Sequence, residues 1–445
     1  MKSLYNYFPH FLKVIIVNLY GYFLERKRYS KHFYKILDEY RNKDKNEFPS
    51  LDIKKLLEVS KDSDYYILKN EEDFYSLPII NKETVKTDYD KILNEKHVNS
   101  YLNTSGTTGS GLKYPVSREF IYHQWAMFWK FRMMHGADLN TWCAYLIGKT
   151  ILNKDKTRPP FWIKSYSTKQ LLLSLPHLNA STVELYLKEI KRNRIKWLHA
   201  YPSALNLLAG LIQDKNLHKV IRELNLSLIT TSSEILYSYQ KKNIEDIFGC
   251  SVRQLYGLTE GVANIFECEY SNLHVDESFS FVEFIKDEIH PDHYKIIGTQ
   301  YHNKAFPLLR YDTGDSVLLP DNGFKCNCGR NSRIVKEIIG REQDYLVLID
   351  NTKRVRIGSI IFKELYNIKK AQIIQRKKGH AEFYIIKGPK YSDQDEKFLS
   401  KEIKRYLGTN FQFDIIYTDT LIESANGKTR LIINALESDK VAINT

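Results

Sequence analysis

The sequence predicts an α/β protein with a large N-terminal domain, residues 1–340, and a small α+β C-terminal domain, residues 341–445. Residues 226–257 follow a strand–helix–strand order, which implies a parallel sheet. After residue 340 the pattern changes to short strands around one amphipathic helix, which indicates a second domain. The chain has 445 residues, 43% of them hydrophobic and 27% charged, which is typical of a globular protein of two or three domains.

Charge and cysteine content exclude some classes of partner. Lysine and arginine exceed aspartate and glutamate by 13, but these residues are scattered and form no long basic block. We therefore expect no nucleic-acid partner. Five cysteines are an odd number and too few for a disulfide framework at this length, so we expect a cytoplasmic protein.

The N-terminal segment, residues 1–28, is where the sequence suggests a membrane. Its apolar stretch, residues 11–24, is interrupted by Lys13 and Asn18, is too short to span a bilayer and precedes no signal cleavage site. An amphipathic helix ending in the basic residues 26–28 would dock on the anionic inner face of the membrane. The alternative is that this helix is buried against the rest of the protein.

Helix and strand signals follow along the chain. Ser117 is a typical N-cap and Gly136 a typical C-terminal residue, so a helix is expected between them. A short "KYPV" strand at 113–116 precedes this helix. A strand at 226–233, a helix at 234–249 and a strand at 251–257 come next. Strand-like alternation resumes at 280–285 and 293–300, and a helix is expected within 392–408, in the C-terminal domain.

The segment "NTSGTTGSGLKYPVS", residues 103–117, is rich in glycine and hydroxyl residues. It is not a Walker loop, because Leu112 follows Gly111 where that motif requires lysine. Glycines permit positive φ and close backbone approach, and turned N–H groups form a nest for anions. The loop is therefore either a phosphate-binding loop or a simple turn between strands.

Four further motifs give this loop a context. They are "LYGLTEG" (255–261), "LRYDTGD" (309–315), "IIGREQD" (338–344) and "ANGKTR" (425–430). Their order and spacing, from about residue 100 to the C-terminus, resemble the AMP-forming adenylating superfamily of acyl-CoA ligases. The segments "WLHAYPSAL" (197–205), "ECEYSNLHVDE" (267–277) and "KCNCGR" (325–330) are most similar to its phenylacetate–CoA ligase and CapK-like branch of polysaccharide biosynthesis.

The resemblance implies binding of ATP and Mg²⁺ and activation of a carboxylate as an acyl-adenylate. Glu260 would hold Mg²⁺, and Lys428 would reach the α-phosphate and the carboxylate from the C-terminal lid; with Thr108 these are the implied catalytic residues. Tyr256 would stack on adenine, and Asp315 would bind the ribose hydroxyls. The implied nucleotide site comprises Ser105, Gly106, Thr107, Thr108, Gly109, Ser232, Ser233, Glu234, Tyr256, Gly257, Thr259, Asp315 and Arg341. His199 and Tyr201 are assigned to the acyl or acceptor pocket.

Taken one by one, these residues also have structural interpretations. Glu260 and Asp315 would otherwise be surface carboxylates, Tyr256 and His199 core side chains, and Lys428 a turn lysine. The sequence also departs from the superfamily at three points. Asp312 stands where a second arginine is common, Gln343 replaces the usual hinge acid, and Asn351-Thr352 replaces a glycine turn.

Cysteine and histidine residues suggest a second metal. Cys268, His274, Cys326 and Cys328 form a donor set suited to tetrahedral Zn²⁺, and the resemblance implies that the same positions recur in this branch. The alternative is that they are surface thiols. The two remaining cysteines, Cys143 and Cys250, are expected to be buried as hydrophobic residues.

The acceptor of the acyl group is left open by the sequence. In the first interpretation it is an amine on a sugar or amino acid, and the enzyme forms an amide during capsule or O-antigen synthesis. In the second it is the thiol of CoA. A third interpretation is a non-catalytic scaffold of a polysaccharide assembly complex, which the retained motif residues argue against.

Overall fold

A computed structural model of the chain describes residues 5, 7–43, 50–103, 113–146, 151–288, 290–341, 345–354, 357–362, 364–423 and 429–436; of Lys43, Arg341 and Ser359 it describes the backbone alone. In chain order the helices are α1 His10–Arg28, α2 Lys31–Lys43, α3 Ile53–Ser60, α4 Glu71–Ser76, α5 Lys82–Thr87, α6 Tyr89–Ile92, α7 Arg118–Met134, α8 Val183–Arg192, α9 Pro202–Asp214, α10 His218–Arg222, α11 Ser238–Phe248, α12 Ile357–Ile361 and α13 Asp393–Leu407. Short 3₁₀ turns occupy Glu95–His97 and Leu175–His177.

The strands alternate with these helices. They are β1 Ser100–Asn103, β2 Lys113–Val116, β3 Cys143–Leu146, β4 Trp162–Ser165, β5 Gln170–Leu173, β6 Trp197–Ala200, β7 Leu228–Ser232, β8 Val252–Gly257, β9 Asn264–Glu267, β10 Leu273–Val275, β11 Ser280–Lys286, β12 Tyr294–Gln300, β13 Tyr311–Leu318, β14 Ile334–Val335, β15 Glu337–Arg341, β16 Leu346–Val347, β17 Lys353–Arg354, β18 Ile368–Lys377, β19 His380–Lys387, β20 Gln412–Tyr417 and β21 Ile432–Asn434. The predicted mixed α/β class is confirmed.

The chain divides into two units. The first contains Met1–Gly21, Thr141–Val252 and Glu342–Thr445, and the second contains Tyr22–Asn140 and Arg253–Arg341. A boundary after Arg341 lies beside the boundary predicted from the sequence. The first unit also includes residues from the middle of the chain, so the division into domains 1–340 and 341–445 stays a prediction.

In the first unit, strands lie in the order β7-β6-β3-β5-β4. Strands β7, β6, β3 and β5 are parallel, and β4 is antiparallel to β5. Parallel strands need crossover connections, and helices α8, α9 and α11 pack apolar side chains such as Leu187, Leu205 and Ile244 into one core with the sheet. The carboxyl ends of β6 and β7 therefore meet at one edge of this sheet.

The C-terminal part of the first unit has its own sheet, in the order β20-β19-β18-β21, with helices α12 and α13 in its core. Its β18 end packs on α9, where the Asn206 side chain donates to the backbone carbonyl of Ile368 (3.1 Å). Asn206 in turn accepts from Asn243 on α11 (2.8 Å). Since these amides are buried and paired, they fix the position of this sheet against the two helices.

Besides the antiparallel pair β1-β2, the second unit has two four-stranded antiparallel sheets, β14-β10-β9-β8 and β11-β12-β13-β15. Their facing apolar side chains, among them Ile265, Val282 and Val317, form one core. Helix α7 begins as predicted, since the Ser117 hydroxyl caps it by accepting from the Phe120 N–H (3.2 Å). The helix predicted at 234–249 was placed too early: it begins at Ser238 and ends at Gly249, whose φ of +65° only glycine adopts without strain.

Candidate functional site

Two of the five motifs meet in the second unit. Tyr256, near the end of β8, donates a hydrogen bond from its hydroxyl to Oδ2 of Asp315 in β13 (2.8 Å). Tyr256 is half-buried, and Asp315 is 8% exposed. The Tyr256 and Asp315 side chains, 59 residues apart in sequence, are thus joined by a hydrogen bond next to Gly257.

The turn 312–315 explains how Asp315 is held. Gly314 has φ +71°, and its N–H donates to Oδ1 of Asp312 (2.8 Å), while the Asp315 N–H donates to the Thr313 hydroxyl (3.1 Å). Asp312, where the superfamily commonly has arginine, therefore stabilises a local turn. In the same sheet the backbone of Arg341 pairs opposite Asp315.

Glu260 follows four residues after Tyr256 and is 8% exposed, with Thr259 half-buried beside it. The Glu260 carbonyl accepts a hydrogen bond from the Tyr114 hydroxyl (3.1 Å), which ties the motif to strand β2. Carboxylate oxygens are ligands that hard divalent ions such as Mg²⁺ prefer, so Glu260 is a candidate to bind one.

In the first unit, His199 lies at the carboxyl end of β6, buried beneath Tyr145. The two rings stack with centroids 4.8 Å apart. The Thr230 hydroxyl lies 2.8 Å from Nδ1 of His199 and accepts from Nε1 of Trp197 (2.8 Å). These contacts orient the imidazole, and Ser232 Oγ lies 3.5 Å from its other nitrogen, Nε2.

The loop after β7 carries the predicted nucleotide-site residues Ser232, Ser233 and Glu234. Ser233 has φ +71°, which is uncommon for a non-glycine residue and is found more often at functional sites than elsewhere. Oε2 of Glu234 accepts from the Ser203 N–H (3.0 Å) in the first turn of α9. Tyr201, the residue before that helix, is buried. His199, Tyr201, Ser232, Ser233 and Glu234 therefore surround one edge of the parallel sheet.

Several predicted residues lie outside the described part of the chain. They are the loop residues Ser105, Gly106, Thr107, Thr108 and Gly109, and the lysine of the last motif, Lys428. Gln343 of the hinge segment lies outside it as well. Asn351 is described and has φ +67°, so it adopts a left-handed conformation that favours glycine. Asparagine tolerates this conformation better than most residues.

The four predicted zinc ligands come together in the second unit. One donor atom from each of Cys268, His274, Cys326 and Cys328 lies within 4.8 Å of the other three. Sγ of Cys268 is 3.6 Å from Sγ of Cys326, and Nε2 of His274 is 3.4 Å from Sγ of Cys328. Cys268 and His274 come from the β9–β10 hairpin and the other two from the turn before β14. We call these four residues the Cys₃His cluster.

Burial and polar neighbours shift the pKa values within this cluster in different directions. Burial raises the pKa of the Cys268 thiol to about 12. Burial acts in the same direction on Cys326, but hydrogen bonds from Cys328 and Asn272 outweigh it and lower the pKa of that thiol. Burial lowers the pKa of His274 to about 4, so the imidazole is neutral at pH 7. Its Nδ1 lies 3.0 Å from the Ser332 hydroxyl, which leaves Nε2 toward the thiols.

The structure adds residues that the motifs did not reveal. Tyr145 and Thr230 orient His199, Ser203 contacts Glu234, and Asn272 and Ser332 support the Cys₃His cluster. Thr230 could have been found from the sequence. It is a polar residue within a predicted buried strand, and such residues often have a specific hydrogen-bond partner. The others lie in loops and helices where serine, asparagine and tyrosine are ordinary.

Comparisons with known proteins agree with the motifs. Residues 351–435 match the model of the CapK C-terminal domain. The chain is 25% identical to Protein CapK of Staphylococcus aureus over 98% of this chain and 100% of that protein. It is 25% identical to phenylacetate-coenzyme A ligase of Thermus thermophilus over 41% of this chain and 43% of that protein.

A solved structure shares the fold. The chain is similar to 2-hydroxyisobutyryl-CoA ligase in the postadenylation state in complex with 2-HIB-AMP, with a TM-score of 0.65, 12% identity, and coverage of 92% of this chain and 90% of that chain. The resemblance inferred from the motifs is thereby confirmed: the chain is similar to CapK along nearly all of its length, its residues 351–435 match the CapK C-terminal domain, and its fold is similar to that of a solved acyl-CoA ligase.

Proposed function

We propose that this protein is an ATP-dependent, AMP-forming ligase that activates a carboxylate as an acyl-adenylate and transfers the acyl group to an amine. The product would be an amide in capsule or O-antigen polysaccharide biosynthesis. The observation that supports this most is the 2.8 Å hydrogen bond from Tyr256 to Asp315. It joins two distant motifs at the positions that the superfamily uses for adenine and ribose.

Each site residue has a defined task in this proposal. The Tyr256 ring stacks on adenine, and the Asp315 carboxylate accepts hydrogen bonds from the ribose hydroxyls, so the nucleotide is held in one orientation. Glu260 holds Mg²⁺, which neutralises phosphate charge when bound. The loop residues Ser105 to Gly109 donate to the β- and γ-phosphates. Ser232, Ser233, Glu234, Gly257, Thr259 and Arg341 complete the nucleotide site.

Lys428 provides the charge stabilisation in the first half-reaction. The carboxylate oxygen attacks the α-phosphorus, the bond to the bridging oxygen breaks, and pyrophosphate leaves. A lysine ammonium beside the α-phosphate stabilises the negative charge that develops on these oxygens. We propose that residues 341–445 form a lid that brings Lys428 to the substrates and then rotates to admit the acceptor.

The acyl pocket favours a polar acid. The Ser203 N–H donates to Glu234, and the Ser203 hydroxyl is buried without a hydrogen-bond partner among the described residues. A buried hydroxyl without a partner costs about 1–3 kcal/mol, which a substrate hydroxyl or amine would offset. His199 and Tyr201 belong to the same pocket. We therefore expect sugar acids or amino acids as substrates ahead of aromatic hydrocarbon acids.

The choice of acceptor depends on which relative is the better guide. Similarity to CapK extends along the whole chain, whereas the match to phenylacetate-coenzyme A ligase covers 43% of that protein. This difference favours the amine. The CoA thioester is the second candidate. Mass spectrometry of the product, with CoA and a panel of amino sugars supplied together, distinguishes an acyl-CoA from an amide.

We further propose that the Cys₃His cluster holds a structural Zn²⁺. Three thiols and one neutral imidazole are a complete tetrahedral donor set and leave no position for substrate. The metal would hold the β9–β10 hairpin to the turn before β14. Zinc content of the purified protein, measured by plasma mass spectrometry, tests this: one equivalent is expected, and none would contradict it.

We place the reaction in the cytoplasm at the inner face of the membrane. The reaction consumes ATP, and five cysteines are too few for a disulfide framework in a chain of this length. Both facts suit a reducing compartment.

Pyrophosphate release tests the proposed activity directly. The purified protein would be assayed with ATP, Mg²⁺ and a panel of uronic acids, amino acids and aromatic acids. We expect acid-dependent release with a polar acid and none without an acid. Failure of every acid, together with no ATP binding by calorimetry, would overturn the proposal.

A further inference from the structure

Helix α1 contacts the first unit through polar and apolar groups. Val14 and Val17 pack against the apolar cluster that contains Ile163. The Asn18 amide donates to the Lys164 carbonyl (3.0 Å), and its Oδ1 accepts from the Tyr166 N–H (2.7 Å). Gly21, one turn later, is buried so closely that a Cβ there would lie 2.3 Å from Ser167 Oγ. These contacts fix the rotation of the helix about its own axis.

Seven large apolar side chains of α1 nevertheless face solvent. Phe11, Leu19 and Phe23 are 62%, 56% and 66% exposed, although a surface helix ordinarily buries such residues. With 3.6 residues per turn, the exposed apolar side chains occupy about half of the helix circumference. This outer face consists of Phe11, Ile15, Ile16, Leu19, Tyr20, Tyr22 and Phe23.

Basic residues continue the outer face at the C-terminal end of α1. Arg26 and Lys27 are exposed, and Arg26 donates to the Tyr22 hydroxyl (3.0 Å). The single acidic residue of the helix, Glu25, is half-buried. The surface that α1 presents to solvent is therefore apolar along its length and cationic at one end.

This combination selects one kind of partner. An exposed apolar patch of this extent marks an interaction site. Aromatic and aliphatic side chains beside lysine and arginine are the composition of helices that lie in the boundary between lipid headgroups and acyl chains. The basic residues are complementary in charge to anionic headgroups. Of the helices within the described ranges, none is long and apolar enough to cross a membrane.

We propose that the outer face of α1 docks on the surface of an anionic lipid bilayer, with the helix parallel to the membrane plane. Phe11, Leu19 and Phe23 enter the acyl boundary, the tyrosines lie at headgroup level, and Arg26 and Lys27 pair with lipid phosphates. The proposal rests on the proposed function only for its purpose, which is to hold the ligase near membrane-bound polysaccharide precursors. Lipid binding itself is independent of catalysis.

Vesicle cosedimentation of the full-length protein tests this. The vesicles contain phosphatidylcholine alone or with 30% phosphatidylglycerol (a composition chosen at about the anionic content of a typical leaflet). We expect binding to the anionic vesicles, and a partition coefficient lowered about tenfold or more by Phe11→Ser/Leu19→Ser/Phe23→Ser or by Arg26→Glu/Lys27→Glu. Matched controls are Ile67→Ser, an apolar residue that is 79% exposed, and Lys390→Glu/Lys397→Glu, two exposed lysines outside α1.

Each outcome decides the proposal. Wild-type protein that stays in the supernatant, or outer-face variants that bind like the controls, would overturn it. Light scattering is measured on the same samples, because a wild-type dimer that becomes monomeric in the triple variant would identify a second copy as the partner and overturn lipid docking. Pyrophosphate release in solution should be unchanged in all variants, so a failure of catalysis is distinguished from a failure of docking. Melting temperatures equal to wild type confirm that the variants are folded.

Discussion

Two polar clusters in the second unit invite comparison. In the Cys₃His cluster, all donor atoms face one another within 4.8 Å, and neighbouring groups of the protein hold them there. The other, which we call the nucleotide cluster after its proposed role, consists of Tyr256 near the end of β8, Asp315 within β13 and Glu260 in the turn after β8. The donor atoms of the first cluster face one another, whereas we propose that those of the second face a bound substrate. Substitutions should therefore affect stability in the first and activity in the second.

The largest effect is expected at Cys268. Cys268→Ser removes one of four ligands and should eliminate bound zinc, lowering the free energy of unfolding by on the order of 4 kcal/mol, the range seen when a structural metal is lost. Chemical denaturation and zinc analysis measure this. Cys250→Ser, a half-buried thiol outside the cluster, is the control and should leave both quantities nearly unchanged. Equal effects of the two substitutions would remove the distinction between the clusters.

In contrast to Cys268→Ser, Glu260→Gln should lower activity and leave stability nearly unchanged. The substitution preserves size but removes the charge that holds Mg²⁺, so we expect about a hundredfold loss in kcat/KM for ATP and a melting temperature close to wild type. Raising Mg²⁺ should recover part of the rate. Glu95→Gln, at an exposed carboxylate, is the matched control. A melting temperature lowered as far as in Cys268→Ser would show that Glu260 is structural.

Asp315→Asn should have a smaller effect on the same reaction. An amide accepts weaker hydrogen bonds from ribose than a carboxylate does, so KM for ATP should rise about tenfold, equivalent to about 1.4 kcal/mol. Tyr256→Phe should raise it about fivefold. Because the two groups share one hydrogen bond, the double variant should be less impaired than the product of the single effects. Purely multiplicative effects would mean that this bond does not organise the nucleotide.

The smallest effect is expected from buried histidines that have only protein partners. His123 and His302 stack with centroids 3.5 Å apart, and burial lowers the pKa of both. Because their pKa is lower in the folded state than the ordinary value near 6.5, the unfolded state binds protons first as the pH falls. Stability decreases as the pH falls through about 6.5, by at most about 0.7 kcal/mol per histidine between pH 7 and 6.

His302→Phe keeps an aromatic ring in the stack. It should reduce the loss of stability between pH 7 and pH 6 by the contribution of one histidine. Denaturation at pH 7 and pH 6 measures the difference. Zinc content should be the same at both values, which separates this effect from acid release of the metal. An unchanged pH dependence would show that His302 is already charged or does not contribute.

Local patterns in the sequence were sufficient for many elements. Ser117 and Gly136 bracket helix α7 because capping is encoded by residues next to the helix, and the strand at 113–116 and the helix within 392–408 are likewise confirmed. The start of α11 was not predicted correctly, because Glu234 and its neighbours favour helix locally. In the structure Glu234 instead pairs with the Ser203 N–H, a contact between distant residues.

The candidate site shows the same limit. Motif order could indicate Tyr256 and Asp315 but could not show that they touch. The four ligands of the Cys₃His cluster were also indicated by residue type, while the supporting Asn272 and Ser332 required the fold. For α1 the sequence left two interpretations open, and the exposed outer face was visible only when Asn18 and Gly21 were seen to face inward.

The central claim is adenylation, and pyrophosphate release by wild type and Lys428→Ala tests it most directly. With ATP, Mg²⁺ and the acid panel, we expect acid-dependent release by the wild type and a loss of about a thousandfold in the variant, because one charged donor to the transition state is removed. Lys390→Ala, at an exposed lysine, should behave as wild type. Release that survives in Lys428→Ala, or a wild type that neither binds ATP nor releases pyrophosphate with any acid, would contradict the account and favour a non-catalytic scaffold.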